Sequence, residues 1–190
     1  MRDLENPDNT AIRFCPRCGS SQIYWTSPKE LRCRSCTNVF FFNSAAAAGA
    51  IVSCRDHILL AVRRDDPGRD LLDLPGGFID PGESAEEGLH RELAEELGLR
   101  VPTLTYLGSF PNRYPYRGIL YYTLDIVFYV RLATRPRLVP NDDVTDFVWV
   151  QSAQIDFDRL AFASVKNALH KFIGDFPGSG KTSNKGVTGE

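Results

Sequence analysis

Residues 76–99 read GGFIDPGESAEEGLHRELAEELGL. Pro81 and Gly82 interrupt whatever precedes them. Ser84 followed three residues later by Glu87 has the spacing at which a serine caps a backbone amide while the glutamate reaches back, and Gly98 after Leu97 is the matching stop. A helix is expected between them. At about 100° per residue, Glu92, Glu95 and Glu96 leave such a helix from one face. Like charges on adjacent turns each cost a helix about a few tenths of a kcal/mol, so something cationic should compensate. Mg²⁺ suits that role, because it takes carboxylate oxygens, keeps waters and bridges to phosphates. Leu89, Leu93 and Leu97 form a separate stripe suited to docking the helix on a sheet while the acids face a cleft. Gly88 falls on the acidic side, where a preceding loop can approach closely; the loop carrying Gly76 and Gly77 is the expected visitor.

Outward from this segment the pattern is mixed α and β. Residues 49–53 and 58–63 read as strands around a turn at Arg55, Asp56 and His57. Asp65, Asp66, Pro67 and Gly68 break the pattern before residues 71–77. Residues 104–107, 121–132 and 146–150 have strand character, the second being rich in β-branched and aromatic residues. Helical spacing returns over 162–172 through Val165, Leu169 and Phe172. From Gly174 the composition cannot offset the entropy of ordering, so 174–190 is expected to be a disordered tail. Residues 178–182 imitate a phosphate loop, but the first required glycine would fall at Asp175 and the motif fails.

Residues 1–12 form a polar leader, and 13–44 have a texture of their own. Cys15 and Cys18, then Cys33 and Cys36, each place two thiols across a tight turn. Four thiolates closing on one tetrahedral Zn²⁺ leave no position for water, which makes the site structural. A segment so short cannot bury enough apolar surface alone, so metal binding and folding should be coupled. Redox dithiols are the weaker reading of the two pairs. Arg13, Arg17, Arg32 and Arg34 surround the knuckles; a grip on nucleic acid is open but not favoured over a solvated basic face. Cys54 has no partner in sequence and reads as a small buried hydrophobe.

The chain has 190 residues, 43% hydrophobic and 24% charged, with a formal net charge of -2. Its bulk charge attracts neither nucleic acid nor an anionic membrane. The leader lacks the basic-then-apolar order of a secretory signal, no stretch approaches the roughly 20 apolar residues of a spanning helix, and the paired cysteines suit a reducing, cytoplasmic setting.

Gly77, Glu83, Arg91, Glu92, Leu93, Glu95, Glu96, Gly98 and Leu99 match the Nudix box position for position. From about Ala45 to Phe172 the chain resembles Nudix hydrolases, and its cysteine pairs resemble the ribbon that precedes some of them. The resemblance implies an α/β fold: a Nudix α/β/α sandwich with a mixed sheet over 45–173, preceded by a small four-cysteine zinc ribbon. It further implies metal-dependent hydrolysis of the diphosphate bond in a nucleoside diphosphate linked to another moiety, releasing a nucleoside monophosphate. On that analogy Glu92, Glu95 and Glu96 hold Mg²⁺ or Mn²⁺, the Gly76 carbonyl is a further ligand, and Glu83 and Arg91 orient the carboxylates. Glu92 is a candidate general base, with Asp142 and Asp143 as substitutes. A homodimer would be unsurprising by the same analogy.

Substrate contacts are sought in residues 108–118, a stretch dense in aromatics and cations; Arg113, Tyr114, Tyr116 and Arg117 are the candidates to sandwich a base and hold a phosphate, with a proline-rich surface loop whose tyrosines cover the core as the equal alternative. Zinc-ribbon NADH pyrophosphatases carry a Ser-Gln-Pro-Trp type motif after the box. Here the nearest counterpart is Ser109-Phe-Pro-Asn112, which leaves ADP-ribose, NADH or NAD⁺, other nucleotide sugars, dinucleoside polyphosphates and capped RNA open. The alternative to hydrolysis is a nucleotide sensor whose ribbon contacts nucleic acid or protein. The complete acidic set argues for hydrolysis.

Overall fold

A computed structural model describes residue 9 and residues 11–138 and 144–176. The chain divides into two compact units, one formed by residues 46–110 and 125–190, the other by 1–45 and 111–124.

A sheet of seven strands underlies the larger unit, with residues 111–124 of its β8–β9 hairpin belonging to the smaller: β4 (Ala45–Cys54), β5 (His57–Arg63), β6 (Leu72–Asp73), β7 (Gly76–Phe78), β8 (Thr105–Tyr116), β9 (Ile119–Leu132) and β10 (Val144–Gln151). Their order is β10-β5-β4-β9-β8, with β6 paired to β5 and β7 to β4. Strand alternation separates two cores. Ala48, Ala50 and Val52 of β4, Leu59 of β5, and Phe128 and Val130 of β9 pack with Leu89, Leu93 and Leu97 of helix α1 (Ala85–Leu97). Ile51, Ile58, Leu60 and Val127 point to the other face, against Val165, Ala168, Leu169 and Phe172 of α2 (Ala163–Asp175). One helix on each face of a sheet makes the α/β/α sandwich that the leucine stripe calls for. Each fully buried leucine of that stripe contributes about 1.5–3 kcal/mol.

The expected hairpin closes as β4 and β5 around a two-residue turn, with Val52 opposite Leu59 and Cys54 opposite His57. Arg55 in that turn takes a positive φ of 56°. Cys54 is buried, as its small apolar character suggests.

Two readings need correction. Residues 108–118 are not a loop: β8 runs from Thr105 to Tyr116, and only Arg117 and Gly118 turn the chain into β9. Pro111 and Pro115 look like breakers in sequence, but β8 is the edge of the sheet, where some amides need no ladder partner. The second correction is at Gly174. Helix α2 continues to Asp175, where Lys171 bonds the Asp175 carboxylate at 2.8 Å, and the Phe176 ring packs 5.0 Å from Tyr129 and 5.2 Å from Phe172. Residues 177–190, the remainder of the expected tail, lie outside the described residues.

The smaller unit contains β1 (Ile23–Ser27), β2 (Glu30–Cys33) and β3 (Val39–Phe41), joined antiparallel in that order. Trp25, Leu31, Cys15 and Cys33 are its buried apolar residues. Asn9, within the leader, is also buried, and its side-chain oxygen accepts the Leu120 amide at 2.9 Å. A polar side chain thereby satisfies a backbone donor at the turn end of the β8–β9 hairpin.

Candidate functional site

Helix α1 begins as its sequence requires. The Ser84 hydroxyl accepts from the Glu87 amide at 3.2 Å and the Glu87 carboxylate accepts from the Ser84 amide at 2.8 Å. At the other end Gly98 adopts φ 62°, the left-handed cap. A cap of this kind is worth about 1 kcal/mol and fixes which side chains emerge on which face.

The acidic face meets the strand that opens the segment. Glu96 is buried, and its carboxylate accepts the Gly76 amide at 3.0 Å. Glu92 lies against Gly77, where a Cβ would come within 2.5 Å of its carboxylate oxygen. Two carboxylates from successive turns therefore flank two successive residues of β7. Gly76 itself has φ 137°, and a Cβ there would overlap the Ala48 carbonyl oxygen at 2.1 Å. Both glycines are needed for close packing: the first lets β7 lie against β4, the second lets Glu92 lie against β7.

The close approach at Gly88 is made by other residues than expected. A Cβ on Gly88 would meet the Glu83 carboxylate at 3.1 Å and Ile79 at 3.4 Å, so the chain over 79–83 is the visitor and Gly76–Gly77 faces Glu92 and Glu96 instead.

Arg91 organises the acids. Its Nε and Nη2 donate to the two oxygens of Glu83 at 2.9 and 3.0 Å, a bidentate pair, while Nη1 donates to Glu92 at 2.8 Å and Glu95 at 3.1 Å. Nη2 also donates to the Phe78 carbonyl at 3.0 Å. These partners, Glu83 first and Glu92 next, hold the guanidinium above its ordinary pKa, and the same bonds with Arg91, aided by the Asp80 amide, hold Glu83 below the usual carboxylate range. The cation demanded by clustered carboxylates is thus supplied in part by the chain itself. The role of the Phe78 carbonyl was not visible in the sequence, since a backbone acceptor leaves no residue signature.

Beside β7, Asp73 is largely buried in β6 and accepts from Arg63 at 2.8 Å and from the Leu74 amide at 2.8 Å. Burial pushes its carboxyl up to about 6, against the pull of Arg63. The sequence signal for this pair is one acid within the apolar run 71–75.

The four cysteines of the smaller unit converge, with all their sulfurs within 4.8 Å of one another. Cys15 to Cys36 and Cys18 to Cys33 are both 3.7 Å. Disulfides would need about 2.05 Å, whereas a tetrahedron of sulfurs at about 2.3 Å from a central ion has edges of roughly 3.8 Å. The Cys36 amide pulls the Cys33 thiol down to about 6, against desolvation. Tyr114, Tyr116, Arg113 and Arg117 belong to this same unit, whereas the carboxylates of α1 belong to the other. Alternation along β8 puts Tyr114 and Tyr116 on one face, their rings 6.2 Å apart, and Arg113 on the opposite face.

The NUDIX domain family model matches residues 43–172. The chain belongs to the Nudix family. Among curated proteins, this Nudix chain is 27% identical over 137 residues to the NAD-capped RNA hydrolase NudC of Pseudomonas syringae pv. tomato, covering 72% of this chain and 47% of that protein. It is 38% identical over 90 residues to the ADP-ribose pyrophosphatase of Methanocaldococcus jannaschii, covering 46% of this chain and 51% of that one. The chain thus spans about half the length of the curated relatives it matches. A crystal structure of a NUDIX hydrolase from Nitrosomonas europaea superposes with a TM-score of 0.66 at 21% identity, over 86% of this chain and 92% of that one, a likeness of fold. Among the described residues no helix is long and apolar enough to cross a membrane.

Proposed function

We propose that this Nudix chain hydrolyses the diphosphate bond of a nucleoside diphosphate linked to a second moiety, releasing a nucleoside monophosphate. The observation that carries this reading is the placement of Glu92 and Glu96 against Gly77 and Gly76, with Arg91 tying Glu83, Glu92 and Glu95 into one array.

Family membership implies a divalent cation, and the donor set fits Mg²⁺ or Mn²⁺: hard carboxylate oxygens, those of Glu92 and Glu96 largely buried, beside a strand of glycines that adds no bulk. Glu92, Glu95 and Glu96 would hold the ion, with the Gly76 carbonyl as a further ligand. When bound, it supplies charge neutralisation along the diphosphate and lowers the pKa of bound water. The chain's own groups supply position. Arg91 locks Glu83 by its bidentate pair and holds Glu92 and Glu95 by hydrogen bonds, while the Gly76 amide fixes Glu96. Glu92 is the candidate proton acceptor; Asp142 and Asp143, the other candidates, lie outside the described residues.

The cysteine cluster fits Zn²⁺ by its sulfur spacing, and its four soft donors leave no open position, so the ion would be structural. We assign residues 13–44 to this ribbon and 45–173 to the hydrolase domain, with a cytoplasmic location and a homodimer as further expectations.

For substrate, ADP-ribose and NADH or NAD⁺ are the first compounds to test. The names of the relatives support both ADP-ribose and NAD-linked chemistry, while Ser109-Phe-Pro-Asn112, on β8, departs from the motif of the NADH pyrophosphatases. The test is incubation with Mg²⁺ or Mn²⁺ and a panel of nucleoside-diphosphate compounds, with products identified by mass. AMP released from ADP-ribose or NADH by the parent protein but not by Glu96→Gln is the expected result. Tight binding without turnover across the panel would replace hydrolysis with nucleotide sensing.

A further inference from the structure

The charge of the chain is unevenly placed. Residues 1–45 and 111–124 hold eight basic and four acidic residues within a chain of net charge -2. Three of those acids lie in the leader. Among the described residues of this unit Glu30, ion-paired with Arg32, is the one acid against six arginines and Lys29.

Strand register sorts the ribbon into two faces. Tyr24 pairs with Arg32, Arg32 with Val39, and Glu30 with Phe41, so these side chains share one face of the three-stranded sheet. Trp25, Leu31 and Cys33 take the other and are buried. On the first face the Arg34 guanidinium lies 4.2 Å from the centre of the Tyr24 ring. Phe41, next along, is 52% exposed. The hairpin end in the same unit repeats the theme, with Arg117 5.3 Å from the centre of the Tyr116 ring and Tyr116 itself exposed.

Phe41 thus lies exposed on the same face as the Arg34–Tyr24 stack and the Arg32–Glu30 ion pair. Alternating cations and accessible rings meet the two demands of an unpaired polynucleotide, whose phosphates seek guanidinium groups and whose bases seek flat apolar partners. A duplex hides its base faces and gains nothing from Tyr24 or Phe41. We propose that the ribbon face carrying Tyr24, Arg32, Arg34 and Phe41 binds single-stranded nucleic acid. This site is independent of the diphosphate chemistry: it needs the cysteine cluster to be folded, but not the acids of α1.

The test uses the full chain and a fluorescent twelve-nucleotide RNA with a 5′-hydroxyl, which offers the box no diphosphate to cut. Fluorescence anisotropy is followed from 50 to 200 mM salt. The parent should bind at low salt and weaken steeply as salt rises. Arg32→Ala with Arg34→Ala should flatten the slope of log affinity against log salt by about 1.4, or about 0.7 for each phosphate no longer neutralised. Tyr24→Ala with Phe41→Ala should weaken binding by about 30-fold or more, at least about 5-fold for each stacked base lost, with the slope unchanged. Zinc content and tryptophan emission equal to those of the parent certify the fold of each variant. The proposal is overturned if the parent fails to bind at 50 mM salt, if the Tyr24/Phe41 double variant binds as the parent does, or if polyglutamate competes with the RNA as well as unlabelled RNA does. Failure here leaves the hydrolysis reading standing, since AMP release is measured separately.

Discussion

The acids of α1 and the cysteines of the ribbon both gather metal-binding groups, but by different means. The acids sit on a helix capped at both ends and fastened by three buried leucines to a sheet whose other face has a core of its own. Their mutual repulsion is countered by Arg91, so much of their arrangement is held by the chain itself. The cysteines sit on turns and, for Cys33, at the end of β2 in a three-stranded sheet with few buried apolar side chains, chiefly Trp25 and Leu31. There the sulfurs must take over the work of a core. The contrast teaches that similar ligand clusters can have opposite dependence on their ion: at the acids the fold positions the ligands, and at the cysteines the ligands hold the fold.

The largest effect that would sharpen this contrast is expected at Glu96. Glu96→Gln keeps its shape and an acceptor for the Gly76 amide but removes a charged ligand. Turnover should fall about a thousandfold, reflecting the several kcal/mol of charge stabilisation a catalytic cation provides, while the thermal midpoint moves by no more than a few degrees. A midpoint that collapsed along with turnover would mean that the acids also hold the fold. Cys33→Ser should behave in the reverse sense. Zinc stoichiometry is expected to drop from one to near zero and residues 13–44 to lose protection from proteolysis, while the far-ultraviolet signal of α1 and α2 persists. Retention of bound zinc would break the comparison from the other side.

Arg91→Lys comes next. Lysine keeps the charge but cannot serve Glu83 bidentately while also reaching Glu92, Glu95 and Phe78. A loss of about ten- to a hundredfold in kcat/KM is expected, the usual cost of disturbing groups that orient metal ligands. Activity equal to the parent's would show that charge alone suffices. The smallest effect concerns Asp73. Its folded pKa of about 6 stands above its ordinary value of 3.8, so the folded state holds the proton more tightly. Its contribution to stability is fully present below pH 3.8 and is lost as pH rises through about 6. Urea unfolding between pH 4 and pH 7 should show this decline in the parent, and Asp73→Asn should flatten it.

Much of α1 was legible because its determinants are local: Ser84, Glu87 and Gly98 act within a few residues, and the faces of Leu89 and Glu92 follow from helical period alone. The cysteine cluster was legible for a similar reason, since paired thiols across tight turns have few other uses. What escaped depended on tertiary context. Gly88 signalled a close approach, but only the folded path of residues 79–83 identifies Glu83 and Ile79 as the neighbours. Pro111 and Pro115 argued against a strand, and the order of strands, which puts β8 at an edge, was needed to overrule them. Gly174 marked an apparent helix end, but Phe176 beyond it finds Tyr129, a residue 47 positions earlier in the chain and on another element.

The most direct measurement is titration of Mn²⁺ into the 190-residue chain with zinc already bound, read by electron paramagnetic resonance of free manganese with ADP-ribose present. Uptake by the parent, lost or weakened at least tenfold in Glu92→Gln and Glu96→Gln and unchanged in Tyr24→Ala, is the result the account predicts. Equal uptake by all four proteins, or none by the parent, would contradict it.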